Sequence, residues 1–252
     1  VPAFIRNDTY FFTELDVYAD GIVECWGAVD LDFLARKIES GWIAPTVPNG
    51  ADISIHDVIQ GKIVFGSWTQ DRRALHERLL ADLRQLNPTM DGLIDFERED
   101  VEVRNGVRYS KIGLTRGAPK RQTQDDQVDL ASKSRFAFVH ENGQPYLTAS
   151  RIYADGGIDV HPLYGEERVI DFESVKKMVK ASELSVTVPD GTLIEIDTFG
   201  RFEVAKVWAY VERRSDFVKE VAEIIGELKG EPDSLAKCRE AYQEYIGNPT
   251  ER

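Results

Sequence analysis

The sequence predicts an α+β protein made of two tandem repeats, each running strand, strand, helix, strand, strand, helix, with mainly antiparallel sheets and a C-terminal helix. Two observations predict this fold. The tetrapeptide Tyr-Ala-Asp-Gly at residues 18–21 recurs at residues 153–156, and further matches follow it in the same order. Within each copy, the alternation of polar and apolar residues that is typical of strands gives way to the apolar spacing of amphipathic helices.

The matches between the two copies keep their order along the chain, which a chance repeat of four residues would not do. The offset between matched residues grows only from 135 (Thr13 to Thr148) to 142 (Leu75 to Phe217), as small loop insertions produce. The other matched pairs are Asn7 with Asn142, Asp32-Phe33 with Asp171-Phe172, Pro48-Asn49-Gly50 with Pro189-Asp190-Gly191, Ile53 with Ile194, Ile55 with Ile196, and Trp68 with Trp208. This collinearity favours a duplication.

The first copy opens with strand signals and a helix. A strand pair is predicted over residues 4–12, and alternating runs at 14–18 and 22–26 flank the tetrapeptide. Because the Asp-Gly pair of the tetrapeptide tolerates positive φ, these two runs are predicted to form a hairpin. A helix is predicted next, with Asp30 as its N-cap and Gly41 as its stop. Its apolar face carries Leu31, Leu34 and Ile38.

The second half of each copy begins at a turn with the pattern Pro-x-Gly. In the first copy, strands are predicted over residues 52–56 and 63–68. A helix is predicted after them, because four apolar residues recur at helical spacing in both copies. These are Leu75, Leu79, Leu83 and Leu86, and Phe217, Val221, Ile225 and Leu228. Helices on one face of an antiparallel sheet are the expected architecture.

The predicted boundaries are 1–88 for the first repeat, 89–135 for a connector, 136–230 for the second repeat and 231–252 for a C-terminal helix. The connector contains Asn-Gly between two alternating runs, which predicts a hairpin. A polar stretch at residues 117–134 follows and is predicted to be mobile. One face of the last helix carries Leu235, Cys238, Tyr242 and Tyr245.

Composition and charge exclude several classes of function. The net charge is −13, so a phosphate backbone is repelled and nucleic acid is not expected as a partner. No apolar stretch reaches the length of a membrane span, which requires about 18 residues. The two cysteines, Cys25 and Cys238, form no disulfide framework and have no zinc-type spacing, so a reduced cytoplasmic compartment is expected. No signal peptide is visible, although a chain that starts at Val1 leaves a removed leader open.

The sequence predicts no catalytic residues, no metal site and no cofactor. His76-Glu77 begins like the zinc-binding helix of a protease, but Leu80 stands where the second histidine is needed. Asp52, Ser54 and His56 share one strand face, where side chains point in parallel and do not converge on a substrate atom. The Cys25 thiol is interpreted as a small buried side chain rather than a nucleophile.

The predicted partner-binding residues are two tryptophans and an acidic run. Trp26 is matched by a histidine in the second copy and Trp42 has no clear match, so both are candidates for a contact surface. Glu97, Glu99, Asp100 and Glu102 form a charged run that is either a solvated face or a surface for a basic partner.

Several of these features together resemble those of a known bacterial family. They are the tetrapeptide, the amphipathic helix ending in Ser40-Gly41-Trp42, the turn Pro48-Asn49-Gly50-Ala51 and the closing leucine-rich helix. This order is similar to that of an uncharacterised bacterial domain associated with the immunity genes of interbacterial toxin systems. The resemblance covers residues 4–88 and 136–230. It implies an acidic, cytosolic, non-enzymatic protein that blocks the active site of a toxin by binding it.

Three functional hypotheses follow. The first is an immunity protein that binds a cognate toxin or another basic protein. The second is a small-molecule sensor or a scaffold that pairs through sheet edges. The third is an enzyme with its site between the repeats, built from dispersed carboxylates with His56 or His76. A toxin gene directly upstream would favour the first. The sequence predicts no oligomeric state.

Overall fold

A computed structural model describes residues 1–96, 101–104, 107–110, 132–162, 168–205, 214–232 and 234–247. These residues form an α+β fold in which the strands are mostly antiparallel. The chain divides into two compact units, the first comprising Val1–Asp129 with Phe199–Ala209 and the second Leu130–Thr198 with Tyr210–Arg252. In the described parts of the chain, no helix is long and apolar enough to cross a membrane.

The main sheet of the first unit is mixed. Its strands, in spatial order, are β6 (Ile43–Ala44), β1 (Pro2–Asn7), β2 (Thr9–Glu14), β7 (Asp52–Ile55), β8 (Ile59–Trp68) and β17 (Gly200–Ala205). Among the described pairings of these six strands, that of β2 with β7 is parallel and the others are antiparallel. The predicted strand pair over residues 4–12 is confirmed by the β1–β2 hairpin.

The first unit also contains a small sheet and a separate hairpin. The strands β3 (Asp16–Val17), β4 (Val23–Glu24) and β5 (Ala28–Val29) form the small sheet. The predicted hairpin at residues 18–21 is confirmed, since the Tyr18 N–H donates to the Ile22 carbonyl at 2.9 Å. The connector hairpin is confirmed as β9 (Val101–Arg104) paired with β10 (Val107–Ser110).

Helix α1 (Leu31–Glu39) begins and ends as the sequence predicts. Asp30 is its N-cap, and its Oδ1 accepts a hydrogen bond from the Phe33 N–H at 2.8 Å. Gly41, with φ +76°, follows the helix end in the left-handed conformation that a glycine adopts without a steric penalty. Leu34 and Ile38 are buried.

Helix α2 (Arg72–Leu86) buries three of the four predicted leucines, namely Leu75, Leu79 and Leu83. The prediction was wrong for Leu86, which is 54% exposed. Leu86 is the last residue of the helix, and the chain leaves the helical conformation at Asn87. The periodicity therefore continues beyond the segment that packs on the core.

Both faces of β1 are buried in the first unit. Ala3 and Ile5 belong to the core cluster that includes Leu34 of α1 and Leu79 of α2, so the helices cover this face as expected. On the opposite face, the Phe4 ring packs against a group of aromatic rings. The centroid distances from Phe4 are 5.6 Å to Phe12, 5.1 Å to Trp68 and 5.5 Å to Phe199. The periodicity of the sequence did not predict this aromatic cluster.

The second unit contains a sheet and three helices. The strands are β11 (Ser132–Glu141), β12 (Gln144–Tyr153), β13 (Gly157–Pro162), β14 (Arg168–Asp171), β15 (Leu184–Ser185) and β16 (Leu193–Ile196). The helices are α3 (Phe172–Ala181), α4 (Arg214–Leu228) and α5 (Ser234–Gly247). Strand β12 pairs with β11 and β13 in antiparallel and with β16 in parallel. The hairpin β11–β12 turns at residues 142–143, and the second copy of the tetrapeptide, residues 153–156, lies at the turn of the hairpin β12–β13.

The structure has more strands than the predicted six-element pattern. Strands β5, β6, β14 and β15 are two to four residues long, too short to produce a recognisable alternation. Strand β11 begins at Ser132, so the end of the predicted polar stretch is strand, while residues 117–131 lie outside the described residues. The predicted C-terminal helix is confirmed as α5, and its Tyr242 and Tyr245 are exposed.

Candidate protein-binding surface

The structure describes the environment of two of the six predicted partner-binding residues. Trp26 and Trp42 both lie in the first unit. Glu102 is part of β9, and its side chain lies outside the description, as do the residues Glu97, Glu99 and Asp100 altogether. The candidate surface is therefore built from the two tryptophans.

Trp26 lies in the turn between β4 and β5. The sequence placed it at the end of an alternating strand, but β4 ends at Glu24, and Cys25, Trp26 and Gly27 form a tight turn. The Cys25 N–H closes the turn by donating to the Gly27 carbonyl at 3.2 Å. Trp26 has φ +63° and is 55% exposed. Its ring centroid lies 5.0 Å from that of Phe11 on β2.

The conformation and the exposure of Trp26 are both unfavourable for the isolated protein. The left-handed conformation raises the energy of a residue that has a Cβ by roughly 1–2 kcal/mol, because the Cβ approaches the following carbonyl oxygen. Asparagine or glycine would adopt this conformation at lower cost. A large exposed aromatic ring also remains in contact with water. Strained backbone and exposed tryptophan are each typical of binding sites.

The neighbouring Cys25 attaches the Trp26 turn to the core. Its side chain is 2% exposed and belongs to the same core cluster as Val29 and Leu34. Burial raises the pKa of the thiol to about 11, although the positive charge of Lys37 acts in the opposite direction. At neutral pH Cys25 is therefore an uncharged thiol, as a buried structural cysteine is.

A cluster of cations and aromatic rings lies along α1. The Lys37 Nζ is 3.3 Å from the centroid of the Trp42 ring and 5.0 Å from that of Phe33. The Arg36 guanidinium lies 5.2 Å from the Phe33 centroid. Arg72 reaches the same helix end, where its Nη1 donates to the Glu39 carbonyl at 2.9 Å. We call Phe33, Arg36, Lys37, Trp42 and Arg72 the α1 cationic surface.

Trp26 and Trp42 are linked through the core beneath them. Trp42 is half-buried and packs against the core cluster that contains Cys25. Lys37 is close enough to Cys25 to affect the pKa of its thiol. Trp42 and the turn that carries Trp26 thus pack on one apolar cluster, whereas the Trp26 ring itself contacts Phe11.

Two of the residues considered for catalysis contact neighbouring charged side chains. The Asp52 carboxylate binds the Lys62 ammonium at 2.8 Å, and His56 Nε2 lies 3.0 Å from a carboxylate oxygen of Asp57. Ser54, between them in sequence, is half-buried. In the ranges that the structure describes, no three histidine, cysteine or acidic side chains are grouped so that they could hold a metal ion.

Three residues beside the two tryptophans were not predicted from the sequence. They are Phe33 and Lys37 of the α1 cationic surface and Phe11, which contacts Trp26. Phe33 and Lys37 are four residues apart, a spacing that brings side chains together on a helix. That spacing was a usable signal. No local pattern links Phe11 to Trp26, because Phe11 lies on β2 of the main sheet and Trp26 in a turn of the small sheet.

The model of a family described as a domain of unknown function, DUF7638, matches residues 1–90 and 121–232. Neither the search of the curated proteins nor that of the solved structures found a match.

Proposed function

The chain belongs to the DUF7638 family, and from this premise we propose that it is a non-enzymatic, cytosolic protein-binding protein. Its proposed partner is a toxin whose active site it covers. The exposed Trp26 carries this proposal, because a strained and water-exposed tryptophan lowers the stability of the free protein and becomes favourable when a partner covers it. The resemblance to toxin-immunity domains supplies the class of partner.

The overall charge supports a basic partner. Acidic residues outnumber basic ones by 44 to 31, which gives the net charge of −13. A field of this sign speeds the approach of a positively charged protein and slows that of an acidic one. The charge thus favours encounter, whereas the tryptophan stabilises the complex once it has formed.

We further propose that the chain arose by tandem duplication of one family domain. Supporting this, β6 pairs with β1 and β7 runs parallel to β2 in the first unit. In the second unit, β15 pairs with β11 and β16 runs parallel to β12. The buried residues Ile53 and Ile194, matched in the sequence, lie on β7 and β16. The family model matches residues 1–90 and 121–232, which leaves part of the proposed connector between them unmatched.

The proposal is tested by isolating the partner from the native host with the tagged full-length chain. The purified partner is expected to be a toxin that loses its activity when one equivalent of the chain is added. Substitution Trp26→Asn, which suits the left-handed backbone, is expected to preserve folding and to speed dissociation of the complex.

The matched control is Phe65→Ser, which removes a 42% exposed aromatic ring from β8 in the same unit. This variant is expected to bind as the wild type does. Equal dissociation rates for wild type and Trp26→Asn would exclude Trp26 as the contact residue. A partner that binds but keeps its full activity would contradict the immunity function and favour a scaffold.

A further inference from the structure

The α1 cationic surface has a charge opposite to that of the whole protein. We propose that this surface is a docking site for an acidic peptide segment of a protein partner, with carboxylates that bind Lys37 and Arg72 and an apolar side chain that contacts Phe33. The acidic peptide site is independent of Trp26 and of the toxin proposal. It is built from other residues, and its ligand is acidic whereas the proposed toxin is basic.

Two cations of this surface, Lys37 and Arg72, have no carboxylate partner in the described part of the chain. The polar contact of Arg72 is with the main-chain carbonyl of Glu39, and the Lys37 ammonium contacts two aromatic rings. Among the described residues, neither Lys37 nor Arg72 forms an ion pair. Both therefore retain N–H groups that an external carboxylate can accept from.

A second lysine in the same protein shows the alternative arrangement. Lys176 on α3 also lies over a ring, with its Nζ 4.5 Å from the Phe172 centroid. However, its Nζ is also 2.6 Å from the Glu173 carboxylate, three residues earlier on the helix. The position three residues before Lys37 is occupied by Leu34, which is buried in the core. The acidic complement of Lys37 is thus not supplied by its own helix.

The geometry favours a peptide over a small anion. Phe33, Arg36 and Lys37 are spaced three and four residues apart, so their side chains follow one another along a helix face. Phe33 is 44% exposed and offers apolar contact beside the charges. A segment that combines carboxylates with one apolar residue matches both properties. Asp32 and Glu39 are both exposed and lie at the two ends of the helix. Because they would repel the carboxylates of the peptide, they limit the length of the segment that can bind.

The test uses the full-length chain and a fluorescein-labelled peptide, Glu-Glu-Phe-Glu-Glu, with Lys-Lys-Phe-Lys-Lys as the control peptide. Fluorescence anisotropy is expected to show binding of the acidic peptide that weakens with added salt. Substitutions Lys37→Gln and Arg72→Gln are each expected to raise its Kd by about fivefold, as loss of one exposed ion pair does. Lys37→Arg keeps the charge and is expected to retain binding.

The matched control is Lys176→Gln, which removes a ring-contacting lysine that already has a carboxylate partner and is expected to leave the Kd unchanged. Circular dichroism melts identify any variant that fails to fold. If Lys37→Gln does not fold, Arg72→Gln is compared with Lys176→Gln in its place. The proposal is overturned if the acidic peptide does not bind, if Lys37→Gln binds it equally well, or if the basic peptide, single-stranded DNA or anionic vesicles bind more tightly.

Discussion

The described tryptophans of this protein have three different environments at the scale of single residues. The Trp68 ring contacts Phe4, Phe199 and Phe202, and its indole N–H donates to the Val47 carbonyl at 3.0 Å. Trp42 lies beneath Lys37, and Trp26 is exposed on a strained turn. Of these three tryptophans, Trp26 is exposed whereas Trp42 and Trp68 are half-buried, so Trp26 offers the largest apolar contact to a partner of the first unit.

The first prediction concerns the Cys25 thiol. Because burial raises its folded pKa to about 11 from an ordinary value of 9.0, the folded state holds this proton more tightly than the unfolded state does. The contribution to stability is fully present below pH 9 and is lost as the pH rises from 9 to 11. Urea unfolding of wild type and Cys25→Ala at several pH values measures it. The stability difference between the two proteins should shrink over that interval.

The same thiol is expected to be unreactive in the native protein. Cys25 is buried, whereas Cys238 on α5 is exposed. In the variant Cys238→Ser, a thiol reagent at pH 7 should therefore label the protein slowly until denaturant is added. Rapid labelling of the native variant would mean that the Trp26 turn opens readily, and that its strained conformation is not stably held.

The roles of these residues were predictable from the sequence, but their conformations and contacts were not. Trp26 and Trp42 were identified because neither has a tryptophan counterpart in the other copy. The strain at Trp26 was not predictable, because the alternation in residues 22–26 is that of a strand, and only Gly27 hints at the turn. The position of Lys37 between two rings depends on how Trp42 returns to the core after α1 ends.

At the scale of elements, the N-cap residues of α1 and α3 accept different numbers of hydrogen bonds from the backbone. The Asp30 carboxylate accepts from the Phe33 N–H through Oδ1 and from the Phe96 N–H, at 2.9 Å, through Oδ2. It therefore caps α1 and also fixes the chain that follows α2. The cap of α3 is Asp171, which the sequence matched with Asp32 but which has the capping role of Asp30. It accepts from the Ser174 N–H at 2.7 Å and is exposed.

This difference gives the second prediction. Asp30→Ala removes the cap and leaves the Phe96 N–H without its acceptor, so the free energy of unfolding should fall by about 2 kcal/mol. Asp171→Ala should lower the free energy of unfolding by less than Asp30→Ala does. Hydrogen bonds from Ser174 hold the pKa of Asp171 below its ordinary value, so its contribution should disappear as acid protonates it. Urea unfolding at neutral and acidic pH measures both effects. Equal losses at neutral pH would contradict the double role of Asp30.

The third prediction concerns the buried stripes of α2 and α4. Leu79 and Val221 are 1% and 2% exposed, so Leu79→Ala and Val221→Ala should each lower the free energy of unfolding by about 2–4 kcal/mol. Leu86→Ala on α2 is the control, and it should have almost no effect because Leu86 is 54% exposed. A neutral Leu79→Ala in denaturant melts would show that the apolar face of α2 does not carry the core.

The long elements were predictable because many residues share one period. Helices α1 and α2 follow from caps and apolar spacing that lie within a few residues of each other. The short strand β6 was missed, because its two residues pair with β1 more than thirty positions earlier in the chain. Its existence depends on tertiary contact rather than on local sequence.

At the scale of the whole molecule, chain order and spatial order differ. Segment Phe199–Ala209, which the sequence assigns to the second repeat, belongs to the first compact unit. The reason is the pairing of β17 with β8, which extends from Gly200 opposite Trp68 to Ala205 opposite Lys62. Local periodicity predicts that a strand exists, but it contains no information on which distant strand will pair with it.

The last prediction concerns the net charge of −13. If that charge steers a basic partner, reversing Glu97, Glu99, Asp100 and Glu102 to lysine should slow association, since four reversals of two units each change the net charge to about −5. The effect should fade with salt, because the field extends only about 8–10 Å at physiological ionic strength. The dissociation rate should remain close to that of the wild type, in contrast to Trp26→Asn. Stopped-flow mixing with the purified partner over a salt series separates the two rates. An association rate that responds to neither salt nor charge reversal would show that the acidic run has no part in recognition and that the charge serves solubility alone.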